Sequence, residues 1–170
     1  VKRFQGQQLP YIGIDEITQI PYDKFRYLIT CNRNSHGIKN RIWGTCNPDP
    51  QSWVRRFIDW WIGEDGYPIE ERDGVIRYCF IDGESPDDIY WGNSAQEVYD
   101  QCYNIIDKAY EEARLDGLEY GKEIFIKRVT FTRASLDQNK ILLDSDPTYV
   151  ASISTSEAAR QVNLYGNWNY

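Results

Sequence analysis

Short apolar runs broken by turn formers set the pattern of the first third of the chain. Tyr11-Ile12-Gly13-Ile14 is one such run, and it stops at two adjacent carboxylates, Asp15 and Glu16. It predicts a strand, as does "RFQGQQL" before it. After Pro21, Tyr22, Phe25, Leu28 and Ile29 recur at helical spacing and predict a helix. "RIWGT", residues 41–45, predicts a further strand, closed by the turn pair Asn47-Pro48. Strand, helix, strand in that order is a βαβ unit, whose strands run parallel through a right-handed crossover. The expected architecture is therefore α/β, a parallel sheet flanked by helices.

Further along, "SWVRRFIDWWI" predicts an aromatic-rich helix from Ser52, with Trp53, Phe57, Trp60 and Trp61 on one face. A stripe at that spacing is more often core than a stacking surface for bases, even with Arg55 and Arg56 beside it. "VIRYCFI", residues 75–81, predicts a strand, and "SPDDIYWGNS" a loop. Ser94 and Glu97 have the spacing of a capping box. The helix they open carries Val98, Cys102, Ile105, Ile106, Ala109 and Ala113 at helical intervals and ends at Gly117. "EIFIKRVTFT" alternates as a strand, with Phe125, Val129 and Phe131 on one side. Short helices are expected from Asp146-Pro147 and from Ser156, before the closing "LYGNW".

Composition narrows the class. The 170 residues suit one domain, and 41% hydrophobic content with 15% aromatics supplies a core. No run approaches the ~20 apolar residues of a membrane span, and no charged-then-apolar leader opens the chain, so a soluble protein is expected. The chain starts at Val1 and contains no Met, which predicts a piece of something longer. Cys31, Cys46, Cys79 and Cys102 form no C-x-x-C pair, and His36 is the single histidine. Free thiols are expected, and a zinc site is not. The net charge of −7 hides an asymmetry: +4 over residues 1–60, −12 over 61–123 and +1 over 124–170. The basic third could face phosphates and the acidic middle would repel them, but charge alone favours two solvated faces.

Asp15 sits where a parallel strand ends, which is where ligands collect in open α/β sheets. A carboxylate there can hold Mg²⁺ through its waters, and a neighbouring acid can orient or deprotonate an attacking water. Two acids at a strand end are also a common way to meet solvent. If the βαβ unit holds, Thr45 and Asn47 emerge at the same sheet edge, where an amide can bind a terminal phosphate or its attacking water. A phosphate cradle of the form G-x-x-x-x-G-K-[ST] is missing. "GLEYGKE", with Gly117, Gly121 and Lys122, is one residue short, has Glu123 in place of the hydroxyl residue, and follows a helix.

"YIGIDEIT", "NRIWGTCNPDP", "DDIYWGNS" and "LYGNW", in that order, resemble the large terminase subunit of tailed bacteriophages, over nearly the whole chain. The resemblance implies a partial P-loop, RecA-like ATPase core in residues 1–62. It implies the rest of the ATPase domain and an α+β linker subdomain in residues 63–170, with the phosphate loop and an RNase H-like nuclease outside the chain. By the same resemblance Asp15 is the Walker B acid and metal residue, Glu16 the catalytic glutamate, and Thr45, Cys46, Asn47 and Pro48 the coupling motif. ATP and Mg²⁺ are the implied cofactors. The implied partners are double-stranded DNA, the portal and prohead, the small terminase subunit, and further copies in a ring. The implied place is the host cytoplasm and the capsid's portal vertex. Residues 1–170 alone are expected to be inactive. "SLDQN", residues 135–139, departs from the family's D-N-P loop and is given no role. Three other readings stay open: a helicase-type ATPase, a metal-dependent nuclease with Asp82 as a further acid, and a non-catalytic binding domain. Arg33 and Arg41 are possible but undistinguished arginine fingers.

Overall fold

The computed structural model describes residues 4, 6–117, 121–146 and 148–170. Along the chain it forms β1 (Tyr11–Ile14), α1 (Tyr22–Cys31), β2 (Arg41–Gly44), α2 (Trp53–Phe57), β3 (Ile76–Ile81), β4 (Ile89–Gly92), α3 (Ala95–Leu115), β5 (Lys127–Thr130), α4 (Lys140–Ser145), α5 (Tyr149–Ile153) and α6 (Glu157–Asn163), with short 3₁₀ turns between. Two compact units result. Unit 1 joins residues 1–71 to 133–170, and unit 2 is residues 72–132. No helix among the described residues is long and apolar enough to cross a membrane.

Unit 1 contains the βαβ unit the sequence predicts. β1 and β2 pair in parallel, Tyr11 opposite Arg41 and Ile14 opposite Gly44. Alternation along β1 sends Ile12 and Ile14 into the core, while Tyr11 and, on β2, Trp43 stay 58% and 65% exposed. On α1, Tyr22, Phe25, Leu28 and Cys31 make the buried face. The helix ends at Asn32, whose Nδ2 donates to the carbonyls of Leu9 (2.8 Å), Pro10 (3.0 Å) and Arg41 (3.2 Å). One side chain thereby fixes where both strands begin.

The aromatic stripe after Ser52 is core at Trp53 and Trp61, while Phe57 and Trp60 are half-buried. Trp53 stacks on Phe25 with centroids 4.6 Å apart, and its Nε1 donates to the Ile20 carbonyl at 2.7 Å. The helix is shorter than its pattern, because the backbone leaves helical geometry at Ile58 and continues as a 3₁₀ turn, Asp59–Trp61. That break turns Ile58, Trp61 and Ile62 inward together with Val54. The end of the chain returns to this region. Asn167 Nδ2 donates to the Asp65 carbonyl (3.1 Å), Trp168 N to the Gly66 carbonyl (2.8 Å), and the Tyr67 hydroxyl to Gln161 (2.6 Å). Gly66, at φ +86°, has no room for a Cβ beneath Asn167.

Unit 2 is an antiparallel sheet in the order β4-β3-β5 with α3 packed on it. The expectation of a parallel sheet therefore holds for β1 and β2 and is corrected here. Phe80, Val98, Cys102 and Ile106 form its core, with Tyr78, Tyr90 and Phe125 against them. The loop expected over "SPDDIYWGNS" contains β4, since its apolar residues 89–91 find a partner strand in β3. The strand expected over "EIFIKRVTFT" begins as a 3₁₀ turn, Lys122–Phe125, and only Lys127–Thr130 join the sheet. At the start of α3, Ser94 caps the Glu97 amide (3.1 Å). The Glu97 carboxylate reaches one residue further back than a capping box requires, to the Asn93 amide at 2.7 Å.

In unit 1, residues 6–9 of "RFQGQQL" form a turn and irregular chain, not a strand; its residues 3 and 5 lie outside the described residues. Pro147, expected to start a helix, lies outside them too, and α5 begins at Tyr149. α6 is capped by Ser156 as expected. The pattern gave no warning of α4.

Lys122 closes the end of unit 2 against α3. Its Nζ binds Asp107 Oδ1 at 2.7 Å and sits 5.5 Å and 5.6 Å from the ring centroids of Tyr99 and Tyr110. The hydrogen bonds from Lys122 and then Tyr99 hold the Asp107 carboxyl below its ordinary value. The bonds to Asp107 and Tyr99 hold the Lys122 ammonium above its own. The sign follows from each direction. The Asp107 contribution is complete above about pH 4 and fades as pH falls through its lowered value; the Lys122 contribution is complete below about pH 10 and fades as pH rises through its raised value. Thermal melts across pH are expected to show Asp107→Asn closest to wild type at the acid end. A difference independent of pH would contradict the ion pair.

Candidate functional site

β1 and β2 run the same way, so the residues after them emerge together. The ladder continues past both strands: Thr45 N donates to the Ile14 carbonyl and Ile17 N to the Thr45 carbonyl, each at 2.9 Å. These bonds hold Asp15-Glu16 and Thr45-Asn47 in register at the carboxyl edge. Gly44 keeps the layers close, since a Cβ there would lie 2.9 Å from Ile17 Cδ1.

The four residues singled out from sequence come together as two pairs. The Thr45 hydroxyl donates to Asp15 Oδ1 at 2.5 Å, a short charge-assisted bond. Asn47 donates twice to the Glu16 carboxylate, from Nδ2 to Oε1 at 3.0 Å and from its backbone N to Oε2 at 3.3 Å. Asp15, Thr45 and Asn47 are exposed and Glu16 half-buried. Among the described residues, Asp15 Oδ2 takes no hydrogen bond. An exposed carboxylate with an oxygen to spare is the kind of hard ligand a Mg²⁺ ion with its waters accepts.

Glu16 has φ +52° and ψ +56°, the only positive φ outside glycine among the described residues. The left-handed region costs an L-residue roughly 1–2 kcal/mol. Such strain persists where the surrounding structure over-determines it, typically at functional sites. It turns the chain sharply between the two acids, so that they face different partners. Sequence carried no sign of it, because Glu is not a residue type that favours this conformation.

Cys46 lies between Thr45 and Asn47, half-buried, and its thiol is pushed up to about 11 by burial first and by the Glu16 charge second. Relative to an ordinary value of 9.0, its thiolate population near neutral pH is about a hundredfold lower. Alkylation by iodoacetamide at pH 7.5 is expected to be slower at Cys46 than for a free thiol by a similar factor; labelling at the free-thiol rate would contradict this placement.

Asp82 belongs to unit 2, where its amide bonds the Asp88 carbonyl at 3.0 Å. The four cysteines are free, and among the described residues no three of His, Cys, Asp and Glu are placed to hold a metal ion. Gly117, Gly121 and Lys122 of the near-miss phosphate motif follow α3, and its residues 118–120 lie outside the described residues.

A mixed α/β chain with two acids ending one parallel strand, and a hydroxyl and an amide ending the next, defines a candidate ligand-binding sheet edge. Residues 2–147 match the family described as terminase large subunit, T4likevirus-type, N-terminal. The chain belongs to that family, whose members generally act as ATPases and nucleases and whose role is phage DNA packaging. No curated protein and no solved structure matches it.

Proposed function

We propose that the edge formed by Asp15, Glu16, Thr45 and Asn47 is half of an ATP-hydrolysing site, in a motor that drives double-stranded DNA into a prohead. The observation that carries this is the pairing of each acid with a donor from the segment that follows the neighbouring parallel strand. In this reading residues 1–62 are the latter part of a RecA-like P-loop core. Residues 63–170 complete the ATPase domain and its linker, and another segment supplies the phosphate cradle and the nuclease.

The division of labour follows from the chemistry. Asp15 would hold Mg²⁺ through water, and when bound the ion neutralises charge on the phosphates. Glu16 orients the attacking water and accepts its proton. Thr45 steadies Asp15. The Asn47 amide, in donor contact with Glu16, can trade that acceptor for a terminal phosphate, linking the state of the ligand to the loop after β2. Portal, small subunit and a ring of copies at the portal vertex, in the host cytoplasm, are the proposed setting.

The test compares residues 1–170 with a protein in which they are joined to a phosphate-loop segment. The isolated chain is expected to show negligible ATP hydrolysis, whereas the joined protein turns over and needs Asp15 for its Mg²⁺ dependence. Steady turnover by the isolated chain that Glu16→Gln abolishes would refute the half-site.

A further inference from the structure

We propose that the loop joining α1 to β2, residues 32–40, together with Arg41, is a surface for the phosphate backbone of a nucleic-acid duplex. It lies at the end of the parallel ladder away from the acid pair. The proposal rests on the family's DNA-packaging role and not on the nucleotide reading.

The first observation is charge. Between Lys24 and Pro48 the chain carries Lys24, Arg26, Arg33, Lys39 and Arg41 and not one Asp or Glu, within a protein of net charge −7. Lys24 is spoken for by Asp23 at 2.6 Å. Arg33, Lys39 and Arg41 are exposed, and no carboxylate among the described residues pairs with them.

The second observation is order. Asn34 ties the loop from within: its Nδ2 donates to the Ile38 carbonyl (2.7 Å) and to Asn40 Oδ1 (2.6 Å), and its Oδ1 accepts from the amides of His36 (2.9 Å) and Ile38 (3.1 Å). Gly37 supplies the positive φ that the turn needs. Asn32 fixes the base of the loop to both strands. Three cations on a pre-ordered loop lose little freedom on binding, unlike three on a flexible tail.

The third observation is position. β1 and β2 are four residues long, which at ~3.3 Å per residue separates the loop from Asp15 and Glu16 by roughly 13 Å. That exceeds the screening length of about 10 Å at 0.1 M salt, so the acids do not cancel the patch. Backbone neutralisation is independent of sequence, as a packaging substrate of any sequence requires.

The acidic stretch 61–123 of a second copy is the competing occupant, and one experiment separates the two. A fluorescent random-sequence 30-base-pair duplex is titrated with the full chain at several KCl concentrations and followed by anisotropy. Log affinity is expected to fall linearly with log salt. The Arg33→Ala/Lys39→Ala/Arg41→Ala variant should bind on the order of 10- to 100-fold more weakly, with a slope shallower by about 2.7, or about 0.9 for each phosphate no longer neutralised. Lys24→Ala should match wild type. Asn34→Ala, which keeps every charge but unties the loop, should weaken binding without flattening the slope. Far-UV circular dichroism confirms that each variant is folded. Three results would overturn the proposal: no duplex binding by wild type, triple-variant binding equal to wild type, or loss in the triple variant of low-salt self-association alone. Asp15→Asn and Glu16→Gln should bind the duplex as wild type does, so a failed nucleotide reading leaves this result standing.

Discussion

Glu16→Gln, made in a protein that carries this chain and a phosphate loop, is expected to lower ATP turnover on the order of 10²- to 10⁴-fold, the usual contribution of a positioned general base. The geometry makes the substitution informative. Oε1 of the carboxylate accepts from the Asn47 side chain and Oε2 from the Asn47 backbone N–H. A glutamine keeps one acceptor and presents an amide to the other donor, so it loses one hydrogen bond while retaining its size. ATP binding, read separately with a non-hydrolysable analogue, should persist, because Asp15 and its Thr45 partner are untouched. Turnover within a few fold of wild type would remove Glu16 from the chemistry and leave it as a residue that shapes the turn.

Trp61→Ala is expected to destabilise unit 1 by about 3–5 kcal/mol, the range for emptying a large aromatic site in a core. Trp61 is 1% exposed and meets Trp60 edge-on at 5.3 Å. Domains are stable by only about 5–15 kcal/mol, so a loss of that size takes much of the margin. Urea unfolding followed by circular dichroism measures it. Trp43→Ala is the control: that side chain is 65% exposed, and its removal should change stability by no more than about 0.5 kcal/mol. Equal midpoints for the two variants would contradict the assignment of the core.

Which aromatics are core was legible only in part. Spacing put Trp53, Phe57, Trp60 and Trp61 on one helical face, yet Val54 and Ile58 are among the most buried residues there. The helical period breaks at Ile58, and no glycine or proline stands there to announce the break. The βαβ unit was legible because each strand ends at a recognisable punctuation, Asp15-Glu16 or Asn47-Pro48, and parallel pairing then brings the ends together. β4 was hidden because "IYWG" sits inside turn formers, "SPDD" before it and "NS" after it, which read together as a loop. The return of residues 133–170 to unit 1 depends on hydrogen bonds such as Asn167 to Asp65, which no local pattern encodes. At the site, residue types and spacing pointed to the four side chains. Their pairing, and the left-handed backbone at Glu16, became visible only in three dimensions.

The insertion of unit 2 within unit 1 also sets an order of events during synthesis. Residues 72–132 are contiguous, so their sheet and helix can assemble as soon as that stretch leaves the ribosome. Unit 1 cannot close at that moment, because Gly66 waits for Trp168. At about 5–20 residues per second, the roughly 100 residues between them take on the order of 5–20 s to appear. During that interval the carbonyls of Asp65 and Gly66 lack the donors that Asn167 and Trp168 later bring, and the half-built unit is open to a chaperone.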